Sequence, residues 1–200
     1  MIRPFFYKIY QNMIRLVFRL FFFKITVKGA SNIPKEGACV IASSHIGHID
    51  PYLLTTIFPR EMAFMTGLNV FLRFIARAFV GDCIAATGPM AIVEACRRIA
   101  NGRMVLFFPE GGRNETGHPI EGKPGAALAA LRTGTKILPV KITGTDEALN
   151  IRKCRVKFGA KIGVSIGTPI LLDGSYDTEP IWAGAKEATK LIMQRIDSLE

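Results

Sequence analysis

From Gly29 onward the chain alternates short β-branched apolar runs with stretches of helical periodicity, and this alternation limits the fold more than any other feature. Runs at 38–43 (ACVIAS), 62–65, 78–86, 104–108 and 136–142 read as strands buried on both faces. Between them, 50–57, 70–76, 89–100 and 124–132 read as helices, several with Pro near the first turn, where its missing N–H costs little. The pattern predicts an α/β fold: a single layered domain with a largely parallel sheet flanked by helices. Further on, 152–158 and 161–166, joined by Gly159-Ala160, read as a hairpin in which basic and apolar side chains alternate (Arg155, Val156, Lys157, Phe158). Residues 179–199 read as a closing helix. With no internal repeat and no linker, one domain is expected over 29–200, behind an N-terminal segment of 1–28.

Two hundred residues are enough to bury a core without disulfides or metals. Apolar residues at 49% and charged residues at 21% exclude intrinsic disorder. Nineteen Gly and 11 Pro without a period exclude a collagen-like chain. Cys39, Cys83, Cys96 and Cys154 form no C-x-x-C pair, so they read as reduced thiols of a cytosol-facing protein.

Lys and Arg number 26 against 16 Asp and Glu, a net charge of +10 that implies an acidic partner. Arg3, Lys8, Arg15, Arg19, Lys24 and Lys28 fall within residues 1–28, which hold no acidic residue. On a helical wheel Lys8, Gln11, Asn12, Arg15 and Arg19 form one polar stripe. Ile2, Phe6, Ile9, Met13, Leu16, Val17 and Leu20 lie opposite, flanked by Phe5, Tyr10, Phe21 and Phe23. Two readings are open for this amphipathic helix. It packs its apolar face on the domain's own core, or it lies in a membrane interface with its cations at anionic headgroups. Charge backed by aromatics on a helix, rather than interleaved with them on a sheet, argues against nucleic acid. No run approaches the roughly 20 apolar residues of a transmembrane helix, and no secretory leader is expected. The protein is therefore expected to be a peripheral, monotopic membrane protein on the cytoplasmic face.

In α/β sheets, ligands gather at the carboxyl ends of the strands. After the first buried strand comes Ser43-Ser44-His45-Ile46-Gly47-His48-Ile49-Asp50-Pro51. Asp50 can cap the helix that starts there and can also hold one ring nitrogen of His45, leaving the other free as a general base. His45, His48 and Asp50 do not have metal-ligand spacing, and no metal is expected. A second strand end reads Phe108-Pro109-Glu110-Gly111-Gly112-Arg113. Glycines let successive N–H groups face an anion, and Arg can grip a phosphate with two bonds. The downstream run Gly117-x4-Gly122-Lys123 only mimics a phosphate-binding loop, since Pro124 stands where a hydroxyl residue is required.

His45-x4-Asp50 followed by Phe108-Pro109-Glu110-Gly111-x-Arg113, then Lys123-x-Gly125 and Leu138-Pro139-Val140, resembles the glycerolipid acyltransferases of the lysophosphatidic-acid acyltransferase (PlsC-like) group. The resemblance covers about 38–143. It implies transfer of an acyl group from an acyl thioester, acyl-CoA or acyl carrier protein, to the hydroxyl of a lysophosphatidic-acid-like acceptor. His45 and Asp50 would be the catalytic pair. Glu110, Gly111, Gly112, Arg113, Lys123 and Thr87 would contact substrate. No cofactor and no covalent acyl-enzyme are implied. The sequence departs from the family pattern at Ser44 (asparagine), Gly47 (serine), Gly112 (threonine) and Thr87 (arginine). Thr87 opens a rival acceptor, another lysophospholipid or a lyso-amino-acid lipid, and a non-catalytic membrane-docking module is the alternative from another class.

Overall fold

The computed structural model describes residues 2–21, 23–67, 82–85, 90–113, 120–150 and 155–200. The expected helix at 70–76, Thr87 and Cys154 lie outside them. The described elements are α1 (Ile2–Leu20), β1 (Lys24–Lys28), β2 (Cys39–Ser43), α2 (Asp50–Ile57), β3 (Met62–Thr66), β4 (Asp82–Ala85), α3 (Met90–Ala100), β5 (Met104–Phe107), α4 (Gly125–Thr133), β6 (Ile137–Thr143), α5 (Thr145–Ala148), β7 (Leu149–Asn150), β8 (Arg155–Val156), β9 (Lys161–Ile166) and α6 (Ile181–Asp197).

Among the described residues, seven strands form one sheet in the order β1-β9-β6-β2-β5-β3-β4. From β6 to β4 all neighbours are parallel. β9 runs antiparallel to β6 and parallel to β1. The period-two rule divides each central strand between two cores. Cys39 and Ile41 of β2, with Met104 and Leu106 of β5, join Leu53, Leu54 and Phe58 of the α2 region on one face. Val40, Ala42, Val105 and Phe107 join Ala126, Ala127, Ala129 and Ala130 of α4 and Ala185, Ala188 and Ile192 of α6 on the other. The run of alanines lets α4 lie close to both the sheet and α6.

Two expectations change. The hairpin expected of 152–158 and 161–166 is not found among the described residues: β8 pairs with β7, while β9 enters the main sheet between β1 and β6. In β9, Ile162, Val164 and Ile166 are buried, and a two-stranded ribbon offers no core to receive them. The N-terminal helix stops at Leu20, and Lys24–Lys28 becomes the edge strand of the sheet. Its lysines suit an edge, where charge discourages further strand addition.

α1 sorts its side chains into three sectors rather than two. Tyr7, Tyr10, Gln11 and Phe18 are buried. Gln11 Nε2 donates to the Thr55 and Phe58 carbonyls at 2.6 and 3.1 Å, and Arg15 Nη2 donates to Thr56 O at 2.7 Å. These side chains satisfy carbonyls that the end of α2 leaves open. Gln11 thus faces the domain and not the solvent stripe expected of it, while Arg15 stays exposed on that stripe and only its guanidinium tip reaches back to α2. Lys8, Asn12 and Arg19 form an exposed polar sector. Ile9, Met13, Leu16, Val17 and Leu20 form a third, apolar sector that is also exposed, Leu20 at 63% and Leu16 at 57%. Beside it, Phe21 packs on Phe158, with ring centroids 5.5 Å apart and Phe158 exposed.

Candidate active site

Three adjacent parallel strands, β6, β2 and β5, send their carboxyl ends to one place. Beyond β2 the chain turns through His45, Ile46 and Gly47 and enters α2 at Asp50, with Pro51 in the first turn. Asp50 is completely buried. Its Oδ2 lies 2.9 Å from His45 Nδ1 and accepts the N–H groups of Ile46 and Gly47, both at 2.8 Å. Its Oδ1 accepts the Thr145 hydroxyl at 2.5 Å. Two backbone N–H groups and a hydroxyl thus donate to this carboxyl, which serves here as an acceptor. With Oδ2 accepting, Nδ1 is the donor of this pair and Nε2 keeps its lone pair. Phe108, just past β5, stacks on the imidazole with centroids 4.0 Å apart and planes at 21°, which fixes the ring's tilt.

The β5 end supplies the second half. Glu110 Oε1 accepts the His45 backbone N–H at 3.3 Å, joining the two motifs directly. Its Oε2 is buried without a hydrogen-bond partner among the described residues. Burial pushes the Glu110 carboxyl up, and the nearby Asp50 charge pushes it further, against the pull of the His45 N–H and ring. Gly111 has φ +71°, and a Cβ there would fall 2.4–2.5 Å from Cδ, Cε and Nζ of Lys123. The Lys123 side chain thus lies across Gly111, anchored by its own N–H to the Pro109 carbonyl at 2.6 Å. Gly112 is exposed, with open space where a Cβ would stand, so packing does not require glycine there. Arg113 follows, half-buried.

His45, Asp50, Glu110, Gly111 and Lys123 are therefore neighbours. Two residues not singled out in the sequence also belong to this site: Thr145, and Phe108 as a stacking partner. Thr145 had a readable signal, since it follows the end of β6 at a strand end like the others. Ser44 supports the turn, donating its N–H to Val140 O at 3.0 Å and accepting the Ile142 N–H at 2.8 Å on its hydroxyl. Elsewhere, burial pushes the Cys39 thiol up to about 11, which leaves it unreactive at neutral pH.

A family model described as Acyltransferase matches residues 24–143, from the edge strand to the end of β6. The chain belongs to the Acyltransferase family. This acyltransferase-family chain is 30% identical over 158 residues to the 1-acyl-sn-glycerol-3-phosphate acyltransferase of Borreliella burgdorferi, covering 75% of this chain and 62% of that one. A chloroplastic 1-acyl-sn-glycerol-3-phosphate acyltransferase of Arabidopsis thaliana is 28% identical over 137 residues, 64% of this chain and 38% of that one. The chain thus spans less than two thirds of the length of these curated relatives. The crystal structure of the 1-acyl-sn-glycerophosphate acyltransferase PlsC from Thermotoga maritima superposes with a TM-score of 0.72 at 24% identity, over 96% of this chain and 80% of that one. The two share their fold.

Proposed function

We propose that this acyltransferase-family chain moves a fatty acyl group from an acyl thioester to the free hydroxyl of lysophosphatidic acid at a membrane surface. The observation that carries the reading is the His45 ring, held at Nδ1 by a fully buried, multiply bonded Asp50 and flat against Phe108. His45 Nε2 takes the proton of the acceptor hydroxyl as its oxygen attacks the thioester carbonyl. Collapse of the tetrahedral intermediate forms the ester and breaks the C–S bond, and the proton passes to the departing thiolate. Backbone N–H groups are the natural donors to the oxyanion. The turn of Glu110, Gly111, Gly112 and Arg113, with Lys123 laid across it, suits the acceptor phosphate. The names of the relatives support lysophosphatidic acid as acceptor.

The exposed sector of Ile9, Met13, Leu16, Val17 and Leu20 supports peripheral membrane binding, with Lys8 and Arg19 at anionic headgroups. No helix among the described residues is long and apolar enough to cross a membrane. The proposed side is the cytoplasmic face, a reading supported by the water-soluble carriers, acyl-CoA or acyl carrier protein, that are the candidate donors.

Thiol release from long-chain acyl-CoA, followed across a panel of lysophosphatidic acid, lysophospholipids with larger headgroups and a lyso-amino-acid lipid, tests the proposal. Release with lysophosphatidic acid that exceeds the others supports it. Preference for another lysolipid moves the acceptor, and no release from either acyl-CoA or acyl carrier protein returns the chain to a docking module.

A further inference from the structure

We propose that Thr145 is a positioning residue for the His45–Asp50 pair, its hydroxyl locking the carboxylate that aims the imidazole; this rests on the reading of His45 as the base. Oδ2 of Asp50 draws its donors from its own turn, the His45 ring and the N–H groups of Ile46 and Gly47. Those three share one oxygen and leave the carboxylate free to pivot about it. Oδ1 is held from elsewhere, by the Thr145 hydroxyl at 2.5 Å, 95 residues along the chain and just past the end of β6. Both side chains are fully buried, so water cannot replace this bond. The turn also makes room for it. A Cβ at Gly47 would lie 2.5 Å from Thr145 Oγ1 and 2.7 Å from its Cβ, so Thr145 reaches the carboxylate because position 47 has no side chain. The result is a clasp between the ends of neighbouring strands β2 and β6, with the base on one side and its brace on the other.

Thr145→Val keeps the side-chain shape and removes the hydroxyl, whereas Thr145→Ser keeps the hydroxyl and removes the methyl. Losing a hydrogen bond to a buried charge corresponds to roughly a ten- to hundredfold fall in kcat, with KM for donor and acceptor within about twofold. With Oδ1 bare, the Asp50 charge bears more strongly on the imidazole, so the acid limb of the pH–rate profile moves to higher pH. Thr145→Ser keeps kcat within about twofold and an unshifted limb. A folded Thr145→Val enzyme with wild-type kcat and pH profile overturns the proposal. So does a folded Thr145→Ser enzyme as impaired as Thr145→Val, because packing would then be the role; should Thr145→Val not fold, the serine variant alone decides. His45→Ala, run in parallel, separates the two levels. If it is inactive while Thr145→Val is normal, only the positioning role falls; if it is active, the base assignment falls and the positioning role with it.

Discussion

Removing the imidazole of His45 takes away the Nε2 lone pair while leaving Asp50 bonded to Ile46, Gly47 and Thr145. His45→Ala should therefore fold and lose about 10²-fold or more in turnover, the usual contribution of general-base assistance. Thiol release beside a circular-dichroism spectrum measures it, and a folded variant keeping more than about a tenth of wild-type turnover would contradict it. Glu110 has a different signature. A carboxyl whose pKa is raised on folding binds its proton more tightly in the folded chain, so stability falls as pH rises through the window above the ordinary value of 4.5 and stays reduced beyond it. Glu110→Gln carries no such charge. Its urea midpoint should gain on wild type as pH rises from about 4 to about 7, and the gap should close on acidification. A constant gap would assign the effect to packing. The sequence made His45, Asp50 and Glu110 readable because each follows a strand in a compact motif. Thr145 was not read, because its partner lies 95 positions away and only the order of strands brings them together.

The membrane-binding reading gives α1 two tasks on separate faces, and substitutions can part them. Leu16→Asp with Leu20→Asp alters side chains that are more than half exposed, so the melting temperature should stay close to wild type while cosedimentation with anionic vesicles is lost. Phe18→Ala empties a buried site at 5% exposure and should cost about 3 kcal/mol of stability with vesicle binding kept. If the aspartates unfold the domain, or Phe18→Ala alone abolishes binding, the division is wrong. Deleting residues 1–23 is a poor test, because Gln11, Arg15 and Phe18 would leave with the outer face. The wheel identified the apolar and basic faces, yet it could not tell which of them meets protein. Gln11 looks like a solvent residue until the open carbonyls of α2 are seen beside it, and the exposed Arg15 reaches back to one of them. The edge strand was hidden for a related reason: Lys24 and Lys28 continue the basic run of the helix.

Across the whole molecule, the charge of +10 would add a long-range attraction to the proposed insertion of α1 in the bilayer surface. Because salt shortens the Debye length from about 10 Å at 0.1 M to about 3 Å at 1 M, raising salt over that range should weaken binding to anionic vesicles several-fold and leave binding to neutral vesicles nearly unchanged. Equal loss on both would argue against a role for charge. The α/β architecture and the central parallel strands were legible, since apolar runs of that kind need two covered faces. The place of β9 was not, because an alternating strand reads alike in a ribbon and in a sheet. Its place has a consequence in time. Among the described residues β1 pairs with β9 alone, so during synthesis residues 24–28 leave the ribosome about 130 residues before the strand they need. At 5–20 residues per second that is a wait of roughly 7 to 27 seconds. Over that interval β1 is an unclaimed strand tethered to α1, and on the membrane-binding reading proposed above the nascent chain can find the bilayer before its sheet is closed.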